Sequence, residues 1–221
     1  MKLLIKALTR FIAGIVLIGA LLFLPAGSFF YPNAWLFMGL LFIPMAAVGT
    51  VILVKAPSLL EKRLNAKEGQ KTQRAVVAAS GLLFVLGFIV AGLDFRFGWS
   101  DMPTWTLAAA SAVLLISYAL YAEVMRENAY LSRTVEVQEG QRVIDRGLYG
   151  IVRHPMYAVT VWLFLSIPLV LGSFWSLLCF LPYVGIIAVR AVNEEKVLKE
   201  GLEGYEEYMW RVRYRLLPFI W

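Results

Sequence analysis

A short polar motif, Arg153-His154-Pro155-Met156-Tyr157, stands directly before the last long apolar stretch of the sequence. Pro155 disfavours helix at the preceding residue and suits the first position of a helix, so we expect His154 to be the N-cap. The backbone N–H groups at the start of a helix bind carboxylates and phosphates. The motif can therefore be an anion-binding site, although Arg and Tyr at a membrane boundary also serve as simple anchors.

A second polar group, Arg190, Glu194 and Glu195, lies at the far end of the same apolar stretch. Arg190 and Glu194 are four residues apart and share one face of a helix, whereas Glu194 and Glu195 diverge by about 100°. A guanidinium can orient an anion, and a carboxylate can accept hydrogen bonds from hydroxyl groups. Ordinary ion pairs on a solvated helix end are the alternative interpretation. The sequence alone leaves open which glutamate faces a ligand.

The apolar segment between these two groups is too long for one membrane span and short for two full spans. Pro168 and the Gly172-Ser173 pair interrupt it near the middle. This pattern predicts a helical hairpin over 155–192, with arms 155–171 and 174–192 that cross the membrane only partly. Since both ends of a hairpin return to the same side, the two polar groups can close one pocket.

Four earlier apolar runs each approach the ~20 residues that a bilayer core requires. On alternating sides of these runs and the hairpin, 20 of the 21 Lys and Arg residues fall on one side and only Arg96 on the other. This asymmetry predicts that the N-terminus and the C-terminal region are cytoplasmic. We therefore expect an all-α integral membrane protein with about four spanning helices, a C-terminal helical hairpin and a cytoplasmic tail. The four runs are 11–30, 34–54, 75–93 and 104–122.

The composition narrows the classes of protein further. Hydrophobic residues make up 60% of the chain and charged residues 16%, against about 25% charged in soluble domains. The net charge of +6 comes from basic residues between apolar runs, which favours a membrane protein over a nucleic-acid binder. One His and one Cys cannot supply a structural zinc site of four such ligands. We expect neither a metal centre nor a nucleic-acid partner.

Two polar segments outside the apolar runs have patterns of their own. Residues 134–138 alternate polar and apolar side chains, Glu139-Gly140 predicts a turn, and 142–145 follow, so we expect a short strand or β-hairpin here. After 204, aromatic and basic residues alternate in the tail, which predicts an amphipathic helix on the membrane surface.

Four pieces of sequence together resemble the isoprenylcysteine carboxyl methyltransferase family, which is related to the membrane phospholipid methyltransferases. Individually they have little specificity, but their order around a membrane hairpin is distinctive. The resemblance covers about 135–221. The pieces are Gly147-Leu-Tyr149-Gly-Ile-Val-Arg153-His154-Pro155-Met-Tyr157, Arg190-x-x-x-Glu194-Glu195-x-x-Leu198, Tyr205-x-x-Tyr208 and Pro218.

This resemblance implies that S-adenosylmethionine is the cofactor, held between the hairpin and the tail. It implies that Arg190 and Glu194 are catalytic and that a cofactor carboxylate lies at His154-Pro155, helped by Arg153. Cofactor binding would also use the Tyr157 ring and one of the two glutamates. The full set expected to bind the cofactor is Tyr149, Arg153, His154, Pro155, Tyr157, Glu194 and Glu195, and the set expected to bind the substrate is Arg190, Tyr205 and Tyr208.

The methyl acceptor stays open at this point, as does the function itself. Carboxyl O-methylation of an isoprenylcysteine-like substrate needs no general base, whereas N-methylation of a phospholipid amine needs one, either His154 or a glutamate. A sterol-type reductase that uses NADPH and a non-enzymatic membrane scaffold are further alternatives. We expect residues 1–122 to be scaffold and 123–221 to be catalytic, with membrane lipid and a lipophilic substrate from the bilayer as partners.

Overall fold

The computed structural model describes residues 2–55, 57, 60–61, 64, 71–128, 130 and 137–221. Within these residues the chain is helical and no residue belongs to a β-strand. A 3-10 turn, Gly147–Gly150, precedes the hairpin. The α-helices are α1 (Lys2–Ala26), α2 (Pro32–Lys55), α3 (Lys71–Phe97), α4 (Thr104–Glu127), α5 (Pro155–Leu171), α6 (Phe174–Phe180), α7 (Pro182–Gly201) and α8 (Tyr205–Arg211).

Five helical segments are long and apolar enough to cross a membrane, namely α1, α2, α3, α4 and the nearly continuous pair α6–α7. Helix α5 is also apolar but has only 17 residues. Many large apolar side chains on these helices are exposed, including Ile12, Leu24 and Ile43, as expected for surfaces that face lipid. The protein is an integral multi-pass membrane protein, and the predicted all-α fold is confirmed.

The predicted C-terminal hairpin is confirmed, with one difference in length. Gly172 ends α5 in the left-handed conformation, with φ of 78°, and Ser173 caps α6 by accepting a hydrogen bond from the Ser176 N–H at 3.0 Å. The second arm continues to Gly201 instead of ending near 192. Glu194 and Glu195 therefore lie within a regular helix, whose geometry fixes the directions in which they point.

The tip of the hairpin reaches the connections at the opposite end of the helical bundle. The buried carboxylate of Asp94 accepts hydrogen bonds from the Ser100 N–H at 2.7 Å, from the Ser100 hydroxyl at 2.6 Å and from the Ser173 hydroxyl. The Tyr31 hydroxyl donates to the Leu171 carbonyl at 2.6 Å. The hairpin therefore runs the whole length of the bundle, farther than the partial crossing that we predicted.

The apolar core joins the hairpin to the N-terminal helices. Phe37 of α2, Phe88 of α3, Ile167 of α5 and Phe180 of α6 are buried in one cluster. Glycine permits close helix approach, because a Cβ at Gly92 of α3 would lie 2.5 Å from a backbone oxygen of α1. In lipid, such packing stabilises the fold through van der Waals contact rather than through the exclusion of water.

The polar segments differ from their predicted structures. Residues 134–136 lie outside the described residues, while 137–138 and 142–145 are irregular, so the strand prediction is wrong for this part. The turn is confirmed, since the Gln141 N–H donates to the Gln138 carbonyl at 3.0 Å and Gly140 has a φ of 70°. Side chains replace strand pairing here: the Gln138 N–H donates to the Gln141 side chain at 2.9 Å, and the Gln138 amide donates to the Tyr130 carbonyl at 2.5 Å.

The tail is not the single amphipathic helix that we predicted. Only Tyr205–Arg211 is helical, and the chain beyond it lies along the start of the hairpin. The backbone N–H groups of Arg153 and His154 donate to the carbonyls of Tyr214 and Arg215, at 2.8 and 2.9 Å. This pairing satisfies buried backbone groups that a surface helix would leave to solvent.

Candidate functional site

A cavity opens between the mouth of the hairpin, the end of α4 and the tail. It contains about 770 Å³ of atom-free space, part of which is open to solvent. The side chains that line it come from chain segments far apart in sequence. Seven of the residues predicted to form a site line it, namely Tyr149, Arg153, His154, Tyr157, Glu194, Tyr205 and Tyr208.

Glu195 does not face this cavity but anchors the tail beneath it. Its side chain is buried, and its carboxylate accepts hydrogen bonds from Arg153 Nε at 2.7 Å and from Arg215 Nε at 2.8 Å. His154 Nε2 lies 3.3 Å from the same carboxylate. Glu195 thus joins the hairpin mouth to the tail through three side chains.

The guanidinium of Arg153 donates three hydrogen bonds within the protein. Besides the Nε bond to Glu195, its Nη1 donates to the carbonyls of Val212 and Arg213, at 2.7 and 2.8 Å. Arg153 is buried, so these bonds replace water at a charge that would otherwise be costly to bury. The arrangement clamps the tail against the hairpin mouth, while Arg153 also lines the cavity, so its predicted contact with a cofactor stays a prediction.

The neighbouring glutamate has the opposite environment. Glu194 lines the cavity and its side chain is 26% exposed, against 5% for that of Glu195. The Tyr157 hydroxyl donates to Glu194 at 2.5 Å and accepts a hydrogen bond from Arg190 Nε at 2.9 Å. Arg190 itself does not line the cavity among the described residues, so it reaches the cavity through Tyr157.

The ring of Tyr157 already contacts two neighbours. The guanidinium of Arg190 lies 5.7 Å from its centroid, and the His154 ring stacks against it at 5.5 Å with an interplanar angle of 20°. His154 is the N-cap of α5 and Pro155 its first residue, as predicted. Together these contacts hold Tyr157 in a fixed orientation at the cavity wall.

The 3-10 turn places Tyr149 at another wall. Both carboxylate oxygens of Glu127 accept from the Leu148 N–H, at 3.1 and 3.0 Å, and the amide of Asn128 donates to the Tyr149 hydroxyl at 3.0 Å. The Tyr208 hydroxyl donates to the Tyr149 carbonyl at 2.7 Å. Burial raises the pKa of Tyr149 to about 12, so its hydroxyl stays protonated at neutral pH.

Tyr205 carries a polar group that the protein leaves unsatisfied. Its residue is 4% exposed and lines the cavity, yet its hydroxyl has no hydrogen-bond partner among the described residues. Burial, followed by the nearby charges of Glu195 and Glu194, raises the pKa of this hydroxyl well above its usual range. A protonated, buried and unpaired phenol at a cavity wall is ready to bond a ligand.

Sequence reasoning missed one side of the cavity. Asn128 and Tyr130 follow α4, and Gln141, Arg142, Val143 and Ile144 form a continuous stretch of the loop between α4 and the 3-10 turn. We name residues 137–146 the cavity loop. No pattern in the sequence signalled this side of the cavity, because the alternation of polar and apolar residues at 134–138 predicts a strand and not a loop that lines a cavity.

The part of the chain that contains this site is similar to a known protein family. Residues 105–203 match the family model described as phospholipid methyltransferase. An uncharacterized protein of Bacillus subtilis (strain 168), YpbQ, is 25% identical over 167 residues, which cover 75% of this chain and 96% of that protein.

The chain is also similar to a delta(14)-sterol reductase of Mus musculus, at 27% identity over 99 residues. These residues cover 40% of this chain but only 22% of the reductase. The family match starts within α4 and ends just before α8, so it contains the hairpin, the cavity loop and both glutamates. Residues 105–203 are therefore similar to the phospholipid methyltransferase family, which includes the isoprenylcysteine carboxyl methyltransferases, and the predicted resemblance is confirmed for this region.

Proposed function

We propose that this protein is an S-adenosylmethionine-dependent methyltransferase that methylates the carboxylate of a lipophilic, isoprenylcysteine-like acceptor. The observation that carries the proposal is the chain of hydrogen bonds Arg190–Tyr157–Glu194. It connects a cation on the hairpin with a carboxylate in the polar cavity. The family match supports methyl transfer to a lipid-like substrate, and the choice of acceptor rests on this geometry.

The residues of the cavity fit the proposed cofactor. Glu194 offers a partly exposed carboxylate that can accept hydrogen bonds from ribose hydroxyls. Tyr205 offers a buried donor without a partner among the described residues, and a ligand with an acceptor group would satisfy it. When bound, S-adenosylmethionine supplies a methyl group activated by an adjacent sulfonium. Tyr149 and Tyr208 form the aromatic wall on which such a ligand can rest.

Glu195, Arg153 and His154 have a positioning role in this proposal. Their hydrogen bonds hold the tail against the hairpin mouth, which keeps Tyr205 and Tyr208 at the cavity. Only one of the two adjacent glutamates is then left for the ligand, and it is Glu194. This assignment replaces the direct contacts with cofactor that the resemblance implied for Arg153 and Glu195.

Arg190 selects the acceptor in this proposal. Its side chain is part-buried on the hairpin, where a guanidinium can pair with a carboxylate in two parallel hydrogen bonds. Tyr157 fixes the guanidinium through both its hydroxyl and its ring. A carboxylate acceptor requires no proton removal, so the site needs no base. The exposed apolar surface of the hairpin allows a substrate with a hydrophobic tail to enter from the bilayer, with the polar cavity on the cytoplasmic side.

N-methylation of a phospholipid amine is the second candidate, favoured by the description of the matching family. In that reaction an amine must lose a proton, and Glu194 is the cavity carboxylate that can accept it. His154 is less suited, because its Nε2 faces the buried Glu195. The two candidates therefore depend on different residues. N-methylation requires Glu194 as a base, whereas carboxyl methylation requires no base and uses Arg190 to bind the acceptor.

The test is transfer of a labelled methyl group by the detergent-purified protein. It would be supplied with methyl-labelled S-adenosylmethionine and either S-farnesylcysteine or phosphatidylethanolamine in mixed micelles. The methyl ester formed by carboxyl methylation releases volatile labelled methanol in alkali, whereas an N-methyl group stays on the lipid. We expect alkali-labile label on S-farnesylcysteine, lost in Arg190→Ala and kept in Arg126→Ala, whose guanidinium pairs with Glu123 on the exposed face of α4.

Three results would contradict the proposal. Alkali-stable label on the phospholipid alone would establish the second candidate. Full activity of Arg190→Ala would remove the acceptor assignment. Binding of NADPH without binding of S-adenosylhomocysteine would instead favour the reductase chemistry of the similar mouse protein.

A further inference from the structure

The positive charges around the cavity are not equally available to a ligand. Arg153 donates through Nε to Glu195 and through Nη1 to two tail carbonyls, and these bonds hold its guanidinium against the tail. Arg190 is held at the Tyr157 hydroxyl and does not line the cavity. Neither guanidinium can move farther toward the cavity without breaking these contacts.

Arg142 differs from both. It lines the cavity from the cavity loop, and its side chain is exposed. Throughout the described part of the chain, no hydrogen bond or ion pair occupies its guanidinium. Its neighbours Val143 and Ile144 also line the cavity, so this stretch of the loop is directed toward the cavity and not simply toward solvent.

The negative charge at the cavity wall is the carboxylate of Glu194. Glu194 presents a carboxylate that repels other carboxylates and accepts hydrogen bonds from hydroxyl or ammonium groups. A zwitterionic ligand therefore requires a separate cation for its own carboxylate. Among the described residues that line the cavity, Arg142 is the arginine whose side chain makes no hydrogen bond or ion pair with the protein.

We infer that Arg142 is a ligand-binding residue that pairs with the carboxylate of the amino-acid part of the cofactor. This inference rests on the proposed function and extends it, because it moves carboxylate recognition from the hairpin mouth to the cavity loop. An Arg–carboxylate pair can form two parallel hydrogen bonds, and this geometry explains why an arginine suits the position better than a lysine. The pair also ties the cavity loop to the bound ligand.

The test compares two ligands that differ in this carboxylate. S-Adenosylhomocysteine carries the amino-acid part, and methylthioadenosine lacks it while keeping the nucleoside and the sulfur. Calorimetric titration of the full chain in detergent would give both affinities for the unsubstituted protein, for Arg142→Ala and for Arg146→Ala. Arg146 is the matched control, since it is exposed on the same loop but does not line the cavity.

We expect Arg142→Ala to weaken binding of S-adenosylhomocysteine by roughly 10- to 100-fold, the range of a charge-assisted hydrogen bond, and to leave methylthioadenosine within about 2-fold. Arg146→Ala should change neither affinity. Equal weakening of both ligands, or no change in either, would overturn the role of Arg142 while leaving the proposed cofactor intact. Failure of the unsubstituted protein to bind either ligand would overturn the proposed function itself, and the inference with it.

Discussion

The two adjacent glutamates of α7 should respond differently to the same substitution. Glu195→Gln removes the charge that pairs with Arg153, whose side chain is 4% exposed, and it places an amide donor against guanidinium donors. Removing one partner of a buried ion pair costs about 3–5 kcal/mol, because the remaining charge stays buried without compensation. Glu194→Gln keeps an oxygen that can still accept from Tyr157, so we expect a loss of about 1 kcal/mol or less.

The assay is chemical unfolding in mixed micelles, read out by tryptophan fluorescence, with S-adenosylhomocysteine binding measured on the same samples. Glu195→Gln should lower the free energy of unfolding by several kcal/mol more than Glu194→Gln does. Glu194→Gln should instead weaken ligand binding in a protein of nearly unchanged stability. Arg215→Lys provides a milder test of the same cluster, because the Arg215 side chain is 30% exposed and a lysine can still reach Glu195.

One result would refute this reasoning directly. If Glu195→Gln is as stable as Glu194→Gln, the buried cluster does not anchor the tail. A stable Glu195→Gln that has lost ligand binding would instead return Glu195 to the cofactor-binding role implied by the resemblance.

Two further predictions concern the frame of the site. Gly147→Ala should lower the free energy of unfolding by at least about 2 kcal/mol and weaken binding, because the φ of Gly147 is 58° and a Cβ would overlap the Glu127 carboxylate. Gly140 is the control, since its φ is 70° but the space around it is open. Gly140→Ala should lower the free energy of unfolding by roughly 1–2 kcal/mol and leave binding unchanged. Asp94→Ala should destabilise the protein by about 3 kcal/mol in the same unfolding assay, since it leaves buried donors unpaired at the hairpin tip, and an exposed control, Asp101→Ala, should have little effect. Equal losses in either pair of variants would contradict these assignments.

The spanning helices and the hairpin could be predicted because each depends on local sequence. A run of about 20 apolar residues must satisfy its backbone internally in lipid, and helix is the simplest way to do so. Pro155 and Gly172 have strong conformational preferences of their own, so they marked the start of the hairpin and its turn. The polar residues at the two ends of the hairpin sequence then indicated the end of the helical bundle at which the site lies.

The division of roles among those polar residues depended on the tertiary structure. Arg153 bonds carbonyls about 60 positions later in the chain, and no local pattern signals such a contact. Glu194 and Glu195 have the same chemistry, and their neighbours along the chain do not distinguish them. Their roles differ because the helix separates their directions by about 100°, so that one faces the cavity and the other faces the buried tail.

The cavity loop is a second feature whose structure could not be predicted from the sequence. Alternating polar and apolar residues predict a strand when a sheet is present to pair with it, and here the described residues offer no partner strand. Instead, four consecutive residues of this loop, 141–144, line a cavity. The sequence by itself determined a membrane-embedded helical bundle with a polar site at one end. Only the packing of distant segments decided which charges hold the fold together and which are left for a ligand.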